Sequence, residues 1–113
     1  MTQSVLRLLR LIELVRSHDE AMPIQRFATF LVVAITSPST RETVAHAVGQ
    51  STASTYRHLM ALTEGTYQQN RRAYTGLGWL TCRPDAHESR RWVWELSPKG
   101  RRILTQLEEA VVA

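Results

Sequence analysis

Polar and cationic side chains capable of recognition chemistry gather at three places in this sequence. The first is Ser51, Thr52, Ser54, Tyr56 and Arg57; the second is Arg71 and Arg72; the third is Arg90 and Arg91. Short hydroxyls beside a long guanidinium are the groups that donate to phosphate oxygens and to base edges in a major groove. Thirteen of the fourteen basic residues are Arg, with Lys99 the exception. The guanidinium fork suits bidentate contact with phosphate or guanine, although a GC-rich coding genome would give the same bias. The net charge of +4 points to a polyanionic partner. Other chemistry is poorly served. No Gly-rich phosphate loop, metal-ligand motif or clustered carboxylate pair is present, so no enzyme is expected. The single cysteine, Cys82, excludes an intrachain disulfide and a thiolate zinc site. A buried, inert thiol is the favoured reading over a redox sensor. His18, His46, His58 and His87, with Asp85 and Glu88, lack the spacing of a helical ligand pair, and no metal or cofactor is expected.

These residues need elements to position them. The chain has 113 residues, 43% of them hydrophobic and 21% charged, which fits one domain over residues 1–113. Its longest apolar run, Phe30–Ile35, is too short to span a bilayer. Arginines interrupt the leucines of the N-terminus, leaving no signal-peptide core. The expected location is the cytoplasm of a prokaryotic cell or phage-infected host, with no membrane partner.

Residues 39–65 read as a helix-turn-helix. The Ser39-Thr-Arg-Glu42 spacing predicts a capping box with Ser39 as the cap. Val44, Ala45 and Val48 follow on a short helix that Gly49 stops. Gln50 or Ser51 then caps a second helix, Thr52 to about Leu62, with Thr55, Leu59 and Leu62 on its apolar side; Gly65 ends it. A small residue at Ala45, a turn at Gly49 and a β-branched Thr55 suit two helices that cross closely. The polar surface left on the second helix holds the first cluster, and a merely solvated helix face is the plainer alternative.

Residues 77–96 read as a β-hairpin, its strands Leu77–Cys82 and Arg91–Leu96 joined by a polar tip. Trp92 and Trp94 alternate with Val93, so both are expected to pack one hairpin face on the domain. Arg90 and Arg91 sit at or just after the tip, where Arg90 either meets DNA or pairs with Asp85 or Glu88. Residues 66–76 show neither period and read as a polar, basic connection carrying Arg71 and Arg72.

The flanking segments are helical. Arg7, Arg10, Glu13 and Arg16 recur every three residues with apolar residues between, giving a narrow wet stripe and a wide apolar surface. Leu6, Leu8, Leu9 and Ile12 exceed what a terminal helix needs for its own core. They point to burial against a second subunit, or to a central place in the monomer. Pro23 opens a helix with Ile24, Phe27, Phe30, Leu31 and Ala34 on one side. Ser97 and Pro98 open the last helix, whose Leu104 and Leu107 join the expected interface. Residues 1–20 and 97–113 are thus expected dimerisation helices. The fold class is mainly α with a small β-hairpin wing (α+β).

With these pieces together the chain resembles the MarR-type winged-helix regulators, in a short version such as a phage or mobile element carries. The matching stretches are Val44–Leu59, Gly78–Asp85 and, most specifically, Arg90-Arg-Trp-Val-Trp-Glu-Leu-Ser-Pro-Lys-Gly100. The resemblance implies a homodimeric regulator, of repressor type, that reads a palindromic duplex. Its recognition helix would lie in the major groove and its wing at the minor groove. Any small-molecule effector is left unspecified. Three features depart from the family. Gln50 stands where an apolar residue is usual, Thr66–Gly76 is an insertion, and the last helix is short. The competing function is a protein-docking winged helix, such as a phage modulator of a host enzyme or polymerase that reads no DNA sequence.

Overall fold

The computed structural model describes residues 2–112, so Met1 and Ala113 of the two expected dimerisation segments lie outside the described residues. The elements in order are α1 (Gln3–His18), α2 (Ile24–Thr36), α3 (Arg41–Val48), α4 (Thr52–Leu62), β1 (Thr66–Gln69), β2 (Arg72–Thr75), β3 (Leu80–Pro84), β4 (Trp92–Leu96) and α5 (Pro98–Val112). The result is an α+β winged helix. Phe30 and Val33 of α2, Val44 of α3, and Leu59 and Leu62 of α4 meet Trp79, Leu80 and Trp94 in one apolar cluster. Phe30 sets its ring edge against Trp79 at 5.0 Å. Val15 of α1 joins Ile103 and Leu107 of α5 on the same cluster.

The α3–α4 pair follows the expected local chemistry with one shift. Thr40, not Ser39, caps α3, its Oγ1 accepting from the Thr43 N–H at 3.2 Å. Ser39 is buried instead. Its backbone exchanges two hydrogen bonds with Trp94, at 2.9 and 2.8 Å, and its hydroxyl bonds that of Thr36 at 2.7 Å. That long-range bridge takes the residue before the cap out of the local pattern. Gly49 takes φ +77° in the turn, where its missing Cβ removes the clash. Ser51 caps α4, accepting from the Ser54 N–H at 3.1 Å. The helix ends at Leu62, before Gly65.

The wing strands are β3 and β4, antiparallel, with Leu80 opposite Leu96 and Cys82 opposite Trp94. They begin later than the sequence pattern places them, because Leu77–Trp79 is spent on the crossing from α4: the Leu77 and Trp79 N–H groups donate to the Ala61 and Leu62 carbonyls. The two tryptophans part company. Trp94 is buried, whereas Trp92 is 55% exposed, near the strand end beyond the reach of the core.

Residues 66–76 are not an irregular connection. β1 and β2 form a second antiparallel hairpin, with Tyr67 opposite Tyr74. Its turn residues Asn70 and Arg71 have φ of 51° and 63°, matching a two-residue type I′ turn. Every residue of it except half-buried Tyr67 is exposed, so no core face imposes a period of two on its sequence.

The expected dimer surface also needs redrawing. Leu107 is buried in the chain's own core and Leu104 is half-buried against it, because the inner face of α5 packs on α1. Leu6 is half-buried, while Leu8, Leu9 and Ile12 are exposed, and Val5 joins them. No helix among the described residues is long and apolar enough to cross a membrane.

Candidate nucleic-acid interface

Helix α4 turns Thr55, Leu59 and Leu62 inward and leaves Ser51, Thr52, Ala53 and Arg57 exposed, with Ser54 half-buried. Arg57 does not wave freely. Its Nη2 donates to the Ser54 hydroxyl one turn back at 3.3 Å, which draws the guanidinium toward the N-terminal half of the helix. On the flank, Arg26 Nε of α2 donates to His58 Nδ1 at 3.3 Å. The imidazole proton therefore sits on Nε2. Burial first, then the charges of Arg26 and Arg57, push the His58 pKa below its ordinary value. A neutral His58 keeps the helix flank from adding a third cation beside those two arginines.

Tyr56 is held from two sides. Arg41, in the first turn of α3, lies 5.2 Å from its ring centroid, within cation–π range. Trp94 of the wing meets the same ring edge-on at 6.4 Å. Tyr56 thus braces α4 against both the preceding helix and the wing base, and part of its ring stays exposed. Arg41 is absent from the residues that the sequence singles out. A cation in the first turn of a helix opposes the helix dipole, and that unfavourable placement was the available signal that it serves something across the chain.

In the wing, Arg83 Nε bonds Glu95 Oε1 across the strands at 3.0 Å, and that carboxylate holds the guanidinium more firmly protonated. The wing's internal ion pair is thus Arg83 with Glu95, not Arg90 with Asp85 or Glu88. Asp85 is engaged otherwise, its Oδ1 accepting from the His87 N–H at 3.1 Å. Among the described residues Arg90 and Arg91 form no ion pair, and both are exposed. The Asp85 and Arg91 N–H groups donate to the Arg91 and Glu88 carbonyls at 2.8 and 2.9 Å, which fixes the tip. A groove of about 1020 Å³ runs between α4 and the wing, lined by Tyr56, Met60, Arg90, Arg91 and Trp92 among others. Tyr56 and Met60 of α4 and the wing-tip arginines thus border one concavity, together with Glu42, Glu64 and Glu88. Arg71 and Arg72 stand apart from it, on the second hairpin, which borders a smaller groove with Tyr56, Arg57 and Met60.

Cys82 is half-buried, and burial pushes its thiol pKa up, away from the thiolate form a redox sensor requires. Among the described residues no three His, Cys, Asp or Glu side chains are grouped to hold a metal ion.

No family profile and no curated protein sequence matches the chain. Solved structures do. The chain superposes on RV1404 from Mycobacterium tuberculosis with a TM-score of 0.71 at 20% identity, covering 92% of this chain and 63% of that one. It superposes on the PcaV transcriptional regulator from Streptomyces coelicolor, solved with its natural ligand. There the TM-score is 0.57 at 20% identity, over 82% of this chain and 57% of that one. It is also similar to BpsR of Bordetella bronchiseptica, a protein whose DNA binding is regulated by 6-hydroxynicotinic acid. That match has a TM-score of 0.58 at 14% identity, over 92% and 71% of the two chains. The chain spans less than two thirds of the length of the first two. The shared feature is the winged-helix fold.

Proposed function

We propose that this winged helix is a sequence-specific, duplex-DNA-binding transcriptional regulator of repressor type. It acts in the cytoplasm as a homodimer on a palindromic operator. One observation carries the reading: Tyr56 and Met60 of α4 line the same groove as the wing-tip arginines, which form no ion pair among the described residues. A helix that enters a major groove needs short donors and a long cation on its outward face, and Ser51, Thr52, Ser54 and Arg57 supply them. A wing that reaches the adjacent minor groove needs uncommitted arginines, because the groove's negative potential attracts them. Arg83 pairs with Glu95, and Arg90 and Arg91, exposed and without an ion pair among the described residues, are assigned to DNA. Tyr56 is given a positioning role, since Arg41 and Trp94 already occupy its ring.

The homodimer rests on Val5, Leu8, Leu9 and Ile12, an exposed apolar row on α1. A twofold pair would present two α4 helices to successive major grooves about 34–36 Å apart. Two structurally similar proteins are named with ligands, so a small organic effector that releases DNA belongs to the proposal. The deciding experiment is a fluorescence-anisotropy titration with mixed-sequence duplex DNA over a salt series. A steep loss of affinity with salt supports phosphate contact. Weak binding without salt dependence would move the function to a protein-docking winged helix.

A further inference from the structure

The β1–β2 hairpin has no counterpart in the helix-turn-helix or the wing, and its construction is specific. It leaves the domain through a closed neck, the Gly76 N–H donating to the Gly65 carbonyl at 2.8 Å. Gly76 is tight against the backbone of Thr63, with no room for a Cβ, so the neck is pinned to the end of α4. Beyond the neck almost nothing is buried. An isolated two-stranded hairpin is marginal in water, and this one spends its surface on solvent rather than on the core.

What it presents is consistent in sign. Between Thr66 and Thr75 stand two arginines and no acidic residue, with Gln68, Gln69 and Asn70 as further donors. Among the described residues neither Arg71 nor Arg72 makes an ion pair. Arg71 occupies the left-handed region at φ 63°, a position that glycine adopts more easily than a residue with a Cβ. The turn therefore places a cation at the tip where backbone preference would place none. Tyr67 and Tyr74 stack at 5.5 Å between ring centroids, 23° from parallel, stiffening the stem. By strand alternation Gln69 and Arg72 share their face. The stem lies beside Tyr56, Arg57 and Met60, on the outward side of the recognition helix.

We infer that the β1–β2 hairpin is a second wing, gripping the phosphate backbone beside the major groove that α4 enters and lengthening each half-site. This rests on the DNA-binding reading above. The occupant is duplex DNA because the hairpin's charge is uniformly positive and it adjoins Arg57.

The test compares three full chains: the wild type, an excision joining Gly65 directly to Gly76, and the double variant Arg71→Gly/Arg72→Gln. The last keeps the turn, since glycine prefers Arg71's backbone conformation. Each is titrated with mixed-sequence duplex over a salt series, then footprinted on the duplex the wild type selects from a random pool. Both variants should lower the log–log salt slope by about two units per bound protomer and weaken binding about tenfold or more. The excision should also shorten the footprint at its outer edges. An unchanged slope and footprint overturns the second wing while leaving the α4 and wing assignment intact. Tighter binding on excision overturns it too, making the hairpin a cover over Arg57. A changed sedimentation coefficient per chain would make it a contact between copies. If the excised chain loses its circular-dichroism melt, the double variant alone decides. A wild type that binds no duplex removes the DNA-binding reading and this one together.

Discussion

Gly100 lies flat against the carbonyl of Trp79, so close that a Cβ on Gly100 would collide with that backbone. The contact explains a sequence feature. Ser97 donates its N–H to the Trp79 carbonyl at 3.0 Å and its hydroxyl to the Gly78 carbonyl at 2.5 Å. The same Ser97 hydroxyl accepts from the Gly100 N–H at 2.9 Å. The Ser-Pro-Lys-Gly run is thus a joint that fixes α5 onto the Gly78–Trp79 crossing segment. Replacing Gly100 by alanine should destabilise the chain by about 3 kcal/mol, the upper range for forced overpacking. A denaturant melt of Gly100→Ala measures it, and an unshifted midpoint would refute the contact.

Two buried polar atoms sit in the helix-turn-helix without a partner among the described residues, Thr55 Oγ1 and Gln50 Oε1. An unmet buried acceptor or hydroxyl costs roughly 1–3 kcal/mol. Thr55→Val should therefore gain about 1 kcal/mol of stability, since the side chain is fully buried and the shapes match. Gln50→Leu, restoring an apolar residue after the turn, should act in the same direction. A fall in the urea midpoint for both would show that those atoms are satisfied in solution.

His58 gives a pH prediction. Its folded pKa is lowered, by burial and then by Arg26 and Arg57. The unfolded chain therefore takes up the proton first as pH falls below the ordinary histidine value of about 6.5. Stability should be greatest above that value and should decline down to the lower folded value, then level off for this group. His58→Gln keeps an acceptor for Arg26 and should flatten the decline. Thermal melts across this pH range read the difference, and parallel curves for the two proteins would count against the assignment.

The helix and wing should separate in binding experiments. Arg57→Ala should cost about 1–3 kcal/mol and relax preference at one position per half-site. Arg90→Ala and Arg91→Ala should weaken binding evenly across sequences, each lowering the salt slope by about one unit for every phosphate no longer neutralised. Titration against selected and scrambled duplexes distinguishes them. If a wing substitution destroys the specificity ratio while Arg57→Ala spares it, the roles are reversed.

Dimerisation is best tested on α1 alone. Leu8 and Leu9 are 61% and 53% exposed, so Leu8→Glu/Leu9→Glu should leave the fold intact and abolish self-association. Leu107→Glu is the wrong probe, since it buries a charge in the chain's own core. Sedimentation of a wild type that stays monomeric at micromolar concentration would end the dimer reading.

The span and apolar side of α4 were legible, with the cap left between Gln50 and Ser51, because the signals are local: a capping residue, and Thr55, Leu59 and Leu62 at helical spacing. The Ser-x-x-Gly joint was legible as a motif, though its cause, the Trp79 backbone, lies across the chain. Ser39 misled because a capping pattern is blind to a distant strand that claims the residue. The second hairpin was invisible because both its faces are wet and its turn is Asn-Arg rather than Asn-Gly. Leu107 shows the remaining ambiguity: an apolar helix face declares that it is buried, not whether its own chain or a second copy covers it.

The paired hydrogen bonds between Ser39 and Trp94 have a mechanical consequence. They splice the threshold of α3 to the base of the wing, and Tyr56 locks α4 to the same tryptophan. The unit built of α3, α4 and the wing is therefore a single stiff caliper whose two jaws cannot be reset independently.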